Sequence, residues 1–174
     1  QHPLITAVGF TGSFRGGKAL FDLANQRDVP IPVYAEMGST NPVFILPGAL
    51  AENVDLAQGL ASSLTLGVGQ FCTNPGLVLM EKGEASKSFV NRLKSAVESI
   101  EAGTMLTSGI KAAFEKGIGS LINIGVGKVA SGPAADTANA VQAQVFQTNY
   151  SALKSSPSLA EEVFGPSSII VEAD

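Results

Sequence analysis

An α/β fold with a mostly parallel sheet is the architecture this sequence predicts, and three observations predict it. Short apolar, partly β-branched runs alternate along the chain with longer segments whose apolar residues recur at helical spacing. That alternation is the pattern of strands linked through helices, which pair in parallel. With 174 residues, 45% of them hydrophobic and 15% charged, the chain is long enough for one compact core.

Residues 5–10 are apolar and end at Thr11-Gly12-Ser13, after which residues 14–25 carry Leu20, Phe21, Leu23 and Ala24 near helical spacing. The spacing predicts strand, tight turn, helix. Backbone N–H groups that open a helix are unpaired and lie at the positive end of its dipole, so a phosphate is a plausible guest there, although such a turn is more often just a serine-capped helix start. Residues 31–35 and 42–46 read as strands whose prolines mark starts or edges, with Glu36 between them. From Glu52 to Val68, the positions Ala57, Leu60, Ala61, Leu64 and Val68 predict an amphipathic helix that delivers the chain to Gly69-Gln70. Cys72 is expected near the end of that helix, ahead of a buried strand at 76–80.

Phe89, Leu93, Val97 and Ile100 form a second helical stripe, and Ile110, Ala113, Phe114 and Leu121 a third. Five glycines punctuate residues 117–133: Gly117, Gly119, Gly125, Gly127 and Gly132. They follow a helix instead of opening one, so the phosphate-loop and dinucleotide fingerprints fail on context, and loop plus strand is expected. Further strands are predicted at 141–147 and 167–171. No internal repeat or low-complexity tract is visible.

The formal net charge of −4, with no run of lysine or arginine, gives no broad attraction to phosphate backbones or anionic membranes. Nucleic acid is not an expected partner. No apolar stretch approaches the roughly 20 residues of a membrane span, and the N-terminus shows no basic-then-apolar signal pattern. One cysteine cannot make an internal disulfide, and one histidine plus one cysteine cannot assemble the usual zinc ligand set, so no metal is expected. A reducing, cytoplasmic setting is the expectation.

The single cysteine, Cys72, lies in Gly69-Gln70-Phe71-Cys72-Thr73-Asn74-Pro75-Gly76, and the single histidine, His2, stands at the N-terminal edge. A nucleophilic Cys72 would therefore need a proton acceptor other than a buried histidine, and a carboxylate is the natural substitute. Glu36, in Tyr34-Ala35-Glu36-Met37-Gly38-Ser39-Thr40-Asn41-Pro42, is the carboxylate that stands out. Each residue also has a bland reading: a small core hydrophobe for Cys72, a solvated or cap-pairing group for Glu36.

The surrounding motifs resemble those of the aldehyde dehydrogenase superfamily, in order, over nearly the whole chain. Phe10-Thr11-Gly12-Ser13 is similar to the family's pyrophosphate-contacting turn, the Glu36 segment to its general-base motif, and Gly69-Gln70-Phe71-Cys72-Thr73 to its nucleophile motif. Glu161-Glu162-Val163-Phe164-Gly165-Pro166 resembles the segment whose glutamate, here Glu162, holds the nicotinamide ribose and whose phenylalanine, here Phe164, packs near the nicotinamide. Ser39 and Asn74-Pro75 depart from the pattern of many members, which have Gly and Ala-Gly there. The combination of Asn41-Pro42-Val43-Phe44-Ile45-Leu46-Pro47-Gly48 with Thr73-Asn74-Pro75-Gly76-Leu77 is similar to the branch of α-ketoglutaric semialdehyde (2,5-dioxovalerate) dehydrogenases and the related NADP-dependent fatty aldehyde enzyme.

The resemblance implies a three-layer catalytic domain with a mostly parallel sheet, truncated, in which residues 1–35 are the tail of the dinucleotide-binding domain and 36–174 an incomplete catalytic domain. It implies Cys72 and Glu36 as catalytic residues, Gly12, Ser13, Glu162 and Phe164 as cofactor contacts, NADP or NAD as cofactor, a small aldehyde as substrate, and a homo-oligomer for the full-length protein. The reaction implied is oxidation of 2-oxoglutarate semialdehyde through a cysteine thiohemiacetal and thioester. The chain opens on Gln1 without a methionine, so a fragment of a longer protein is expected, catalytically inactive by itself. Rival readings are another aldehyde such as a fatty one, ester or thioester hydrolysis without a dinucleotide, and a noncatalytic α/β or subunit-contact module.

Overall fold

β1 (Val8–Gly12) and β2 (Val33–Met37) pair in parallel, with Val8 opposite Val33 and Gly12 opposite Met37, and α1 (Phe14–Asn25) connects them. In this computed structural model, which describes residues 2–52, 55–134 and 136–174, these elements form one compact unit, Gln1–Ser39, and Thr40–Asp174 forms a second. Inside the first unit α1 lies close on β2 because Gly17 has no side chain. A Cβ there would run into the side chains of Met37 and Ala35.

The second unit is built on a five-stranded sheet, among the described residues, in the order β3 (Asn41–Ile45), β4 (Pro75–Glu81), β9 (Ser167–Ala173), β8 (Gln144–Asn149), β6 (Gly127–Ser131). Only the β6–β8 ladder is antiparallel; β3–β4, β4–β9 and β8–β9 are parallel. Because side chains alternate across a strand, Val78, Val145 and Ile170 face one layer while Leu77, Phe146 and Ile169 face the other. The first layer holds α2 (Pro47–Glu52), α3 (Leu56–Thr65) and α4 (Glu84–Glu98), contributing Leu50, Leu64, Phe89 and Leu93. The second holds α5 (Ser108–Ile124), with Phe114, Ile118 and Leu121. A sheet buried on both faces explains the unbroken apolar runs of β4 and β9. β5 (Gly103–Thr104) and β7 (Ala140–Val141) make a short antiparallel ladder beside it, and α6 (Tyr150–Ser155) follows β8.

Three local expectations change. Residues 117–124, expected as loop and strand, continue α5 up to its left-handed cap at Gly125 (φ 87°). Burial of Ile118 and Leu121 in register with Phe114 outweighs the roughly 1 kcal/mol that each interior glycine costs a helix. The helix expected over 52–68 is shorter: α3 runs Leu56–Thr65, positions 53 and 54 lie outside the described residues, and Leu66–Gly69 is a 3-10 turn. Val68 therefore leaves the α3 stripe and packs on the α5 side of the sheet. The predicted strand over 141–147 divides into β7 and β8.

Candidate active site

Glu36 is the penultimate residue of β2, inside the strand instead of beyond it. Its register partner on β1 is Thr11, and Gly9 stands opposite Tyr34 two positions earlier, so Thr11, Glu36, Gly9 and Tyr34 share one face. Tyr34 and Glu36 are exposed, and a cleft of about 600 Å³ is lined by Gly9, Phe10, Thr11, Tyr34, Ala35 and Glu36. That Thr11 stands opposite Glu36 is not legible in the sequence, because pairing register across a sheet carries no local sequence signal.

At the end of β1 the chain enters α1 through Ser13, whose extended backbone (φ −64°, ψ 149°) and side chain make it the N-cap: its Oγ accepts from Gly16 N–H at 3.2 Å. No acidic residue occupies the first turn, and the Phe10 ring tip lies where a Cβ on Gly12 or Gly16 would go, at 2.8 and 2.9 Å. The serine cap is thus real and takes up the Gly16 N–H, and the turn keeps the positive helix end that favours an anion.

In the second unit the approach to Cys72 is a left-handed turn: Gly67, Val68 and Gly69 have φ of 55°, 60° and 64°. For Val68 this is a costly conformation, of order 1–2 kcal/mol, because a β-branched side chain crowds the carbonyl. It is offset by packing of Val68 into the α5-side core, for which Gly103 leaves room. Gly69 is pressed on the backbone of Gly165 and Pro166, where a Cβ would collide. Gln70 then clamps the loop from both ends of its amide, Nε2 donating to Gly67 O at 3.1 Å and Oε1 accepting from Leu106 N–H at 3.0 Å.

Cys72 and Thr73 occupy the two central positions of a turn closed by Asn74 N–H donating to Phe71 O at 3.1 Å. Cys72 is therefore an exposed turn residue, in neither the helix nor the core. One side chain from the neighbouring strand β3 and one from the turn itself fix its position. Asn41 Nδ2 donates to Thr73 O at 2.8 Å, and Asn74 Nδ2 to Gly165 O at 3.0 Å. The latter contact brings in the segment of Glu162 and Phe164, which runs from a 3-10 helix at Pro157–Ala160 into β9. Glu162 is exposed and Phe164 half-buried. Thr40 Oγ1 donates to Ala160 O at 2.6 Å at the start of this segment, and Gly165, at φ 156°, carries it past Phe114 and Met105 where no Cβ fits.

The structure thus joins the Cys72 turn to the Glu162–Phe164 segment in one unit, and sets Glu36, Gly12 and Ser13 together in the other. Asn41, Gln70 and Asn74 went unassigned in the sequence; an amide flanking a loop gives no sign of which distant carbonyl it will reach. Among the described residues no group of three or more His, Cys, Asp or Glu side chains could hold a metal ion, and no helix is long and apolar enough to cross a membrane.

α-Ketoglutaric semialdehyde dehydrogenase 2 of Azospirillum brasilense is 48% identical over 173 residues, 98% of this chain and 33% of that protein. Alpha-ketoglutaric semialdehyde dehydrogenase of Acinetobacter baylyi is 44% identical over 177 residues, 100% of this chain and 34% of the relative. The chain therefore spans about a third of the length of the curated relatives it matches. Among solved structures, a Bradyrhizobium japonicum proline utilization A variant superposes with a TM-score of 0.81 at 22% identity, covering 98% of this chain and 18% of that one. An NAD-dependent benzaldehyde dehydrogenase from Corynebacterium glutamicum gives 0.77 at 23% identity, covering 98% and 38%. These structures share the α/β fold and its mostly parallel sheet. The aldehyde dehydrogenase family model matches residues 1–174, and with relatives this close the chain belongs to the aldehyde dehydrogenase family.

Proposed function

We propose that the full-length protein containing this chain oxidises an aldehyde to a carboxylic acid with NAD or NADP, and that its substrate is 2-oxoglutarate semialdehyde. The observation that carries the reaction is the exposed Cys72 thiol on a turn held by Asn41 and Asn74 in a chain of this family. The substrate assignment leans on the names of the two relatives at 44% and 48% identity.

In this reading Cys72, as thiolate, forms a C–S bond to the aldehyde carbon, and the carbonyl π electrons move to oxygen. Preorganised N–H donors, the Cys72 backbone among them, hold the resulting alkoxide. NAD(P), when bound, would supply the hydride acceptor for oxidation at the thiohemiacetal carbon, and the acyl group stays on Cys72 as a thioester. Gly12 and Ser13 at the α1 N-terminus would hold its pyrophosphate, Glu162 its ribose, and Phe164 would pack near its nicotinamide. Glu36 then takes a proton from water, the water oxygen attacks the thioester carbonyl, and the acid leaves as the C–S bond breaks. The reading assigns residues 1–35 to the end of the cofactor domain and 36–174 to the catalytic domain. It assigns the protein to a cytoplasmic homo-oligomer.

Aldehyde-dependent NAD(P)H formation by the full-length protein tests the proposal. Turnover with 2-oxoglutarate semialdehyde well above that with fatty aldehydes is the expected result. Hydrolysis of esters with no NAD(P)H formed would favour the hydrolase, and inactivity on every aldehyde would favour a noncatalytic module.

A further inference from the structure

Asn74 leaves the Cys72 turn and precedes Pro75, the first residue of β4. Its side-chain Nδ2 reaches two carbonyls of another segment, Gly165 O at 3.0 Å and Ser167 O at 3.4 Å. Carbonyl oxygens only accept, so these contacts orient the amide, with Nδ2 toward residues 165–167 and Oδ1 away from them. Oδ1 is buried and, among the described residues, has no hydrogen-bond partner. A buried, half-satisfied amide is costly, and a small apolar side chain at this position would avoid that cost.

What the amide achieves is a join on the far side of the thiol. Before Cys72, Gly69 is packed on Gly165 and Pro166 so closely that it admits no Cβ. After Cys72, the Asn74 side chain grips the same stretch. Gly165 cannot drift, because Phe114 and Met105 close around it and Ser167 N–H donates to its carbonyl at 2.8 Å. The turn that carries the thiol is therefore fastened at both ends to one rigid piece of backbone, which leads directly from Glu162 and Phe164.

We infer that Asn74 is a positioning residue: its amide holds the Cys72 turn in register with the Glu162–Phe164 segment, so that the thiol and the cofactor-contacting side chains are set as a single body. The inference rests on the proposed role of Cys72 as nucleophile. It gives a function to a residue at which this chain departs from the motif it otherwise resembles. Asparagine is required because the two acceptors demand a donor of that reach. Aspartate, equal in size, would aim a carboxylate oxygen at two carbonyl oxygens.

The test compares Asn74→Asp and Asn74→Ala with wild type and with Leu93→Ala, a core truncation in α4, in the full-length protein. Melting temperature, the rate constant for alkylation of Cys72 by iodoacetamide, and kcat and KM for aldehyde and dinucleotide are measured. Both Asn74 variants are expected to change the alkylation rate and lower kcat about tenfold or more, as small misplacements of reacting groups do, with a smaller change in aldehyde KM. Leu93→Ala should lower the melting temperature and leave alkylation and kcat near wild type. Asn74→Asp with wild-type alkylation and kcat, or effects that merely track melting temperature as in Leu93→Ala, would overturn the inference. A wild-type protein that forms no NAD(P)H would defeat the proposed oxidation, and the alkylation comparison would still decide whether Asn74 holds the thiol.

Discussion

At the scale of single residues, the chemistry proposed for Cys72 and Glu36 falls into two steps that separate experimentally. Cys72→Ala in the full-length protein is expected to lower kcat/KM about ten-thousand-fold or more, since removing a nucleophile leaves only binding and oxyanion contacts. Steady-state turnover that survives the substitution would exclude the nucleophile assignment. Glu36→Gln is expected to slow turnover roughly 100- to 10,000-fold by losing the base, and still to release a burst of NAD(P)H because thioester hydrolysis follows hydride transfer. Rapid mixing would reveal that burst. Both roles require the two side chains to flank one cavity in the assembled enzyme, so a crystal structure of the full-length protein with them on opposite faces would sink the pairing. Gly69 is the third residue on which the site depends. Its left-handed backbone and contact with Gly165 and Pro166 leave no space for Cβ, so Gly69→Ala should cost about 1–3 kcal/mol in chemical denaturation.

Among the elements, α5 shows how packing decides what propensity leaves open. Gly117 and Gly119 both lie inside it, yet they differ in surroundings. A Cβ on Gly119 meets nothing within 4 Å, whereas one on Gly117 would lie 2.9 Å from Cγ1 of Val163. Gly119→Ala is accordingly expected to stabilise the protein by about 0.5–1 kcal/mol, through helix propensity and a less flexible unfolded chain. Gly117→Ala should gain the same propensity and lose more by displacing Val163, which sits between Glu162 and Phe164. Denaturation midpoints of the two variants should thus move in opposite directions. The same pair also probes function: Gly117→Ala, but not Gly119→Ala, should raise the KM for the dinucleotide. Equal effects would mean that α5 does not support the 161–164 segment.

For the whole molecule, the decisive fact is that the chain spans about a third of the length of its curated relatives. A dinucleotide needs a concave site for its phosphates, both riboses and nicotinamide, and of the implied contacts this chain supplies only Gly12, Ser13, Glu162 and Phe164. The 174-residue polypeptide is therefore expected to oxidise no aldehyde and to bind NAD⁺ or NADP⁺ far more weakly than the full-length protein. Calorimetry on the two side by side checks this; equal affinity would mean a cofactor site built differently from the one proposed. Alkylation of Cys72 should persist in the shorter polypeptide, because the contacts that hold its turn, from Asn41, Gln70 and Asn74, all lie within residues 40–174.

By itself the sequence determined the elements whose signal is local. The strand at Gly76–Met80 and the helix stripes of Phe89 to Val97 read directly from apolar period, because each residue's burial follows from its place in the repeat. The start of α1 is equally legible, since Ser13 before an apolar period marks an N-cap whatever the rest of the chain does. The motifs around Cys72 and Glu36 also named the family from residues alone. Tertiary structure decided what depends on partners distant in sequence. Thr11 faces Glu36 only through the β1–β2 register, and Val68 turns to the α5 side only because Gly103 opens a place for it. Asn74 grips Gly165 across a gap of 91 positions, and α5 keeps its glycines because buried Ile118 and Leu121 outweigh their local preference. Period and capping are properties of neighbours along the chain, whereas register, close approach and side-chain reach are settled only when the sheet assembles.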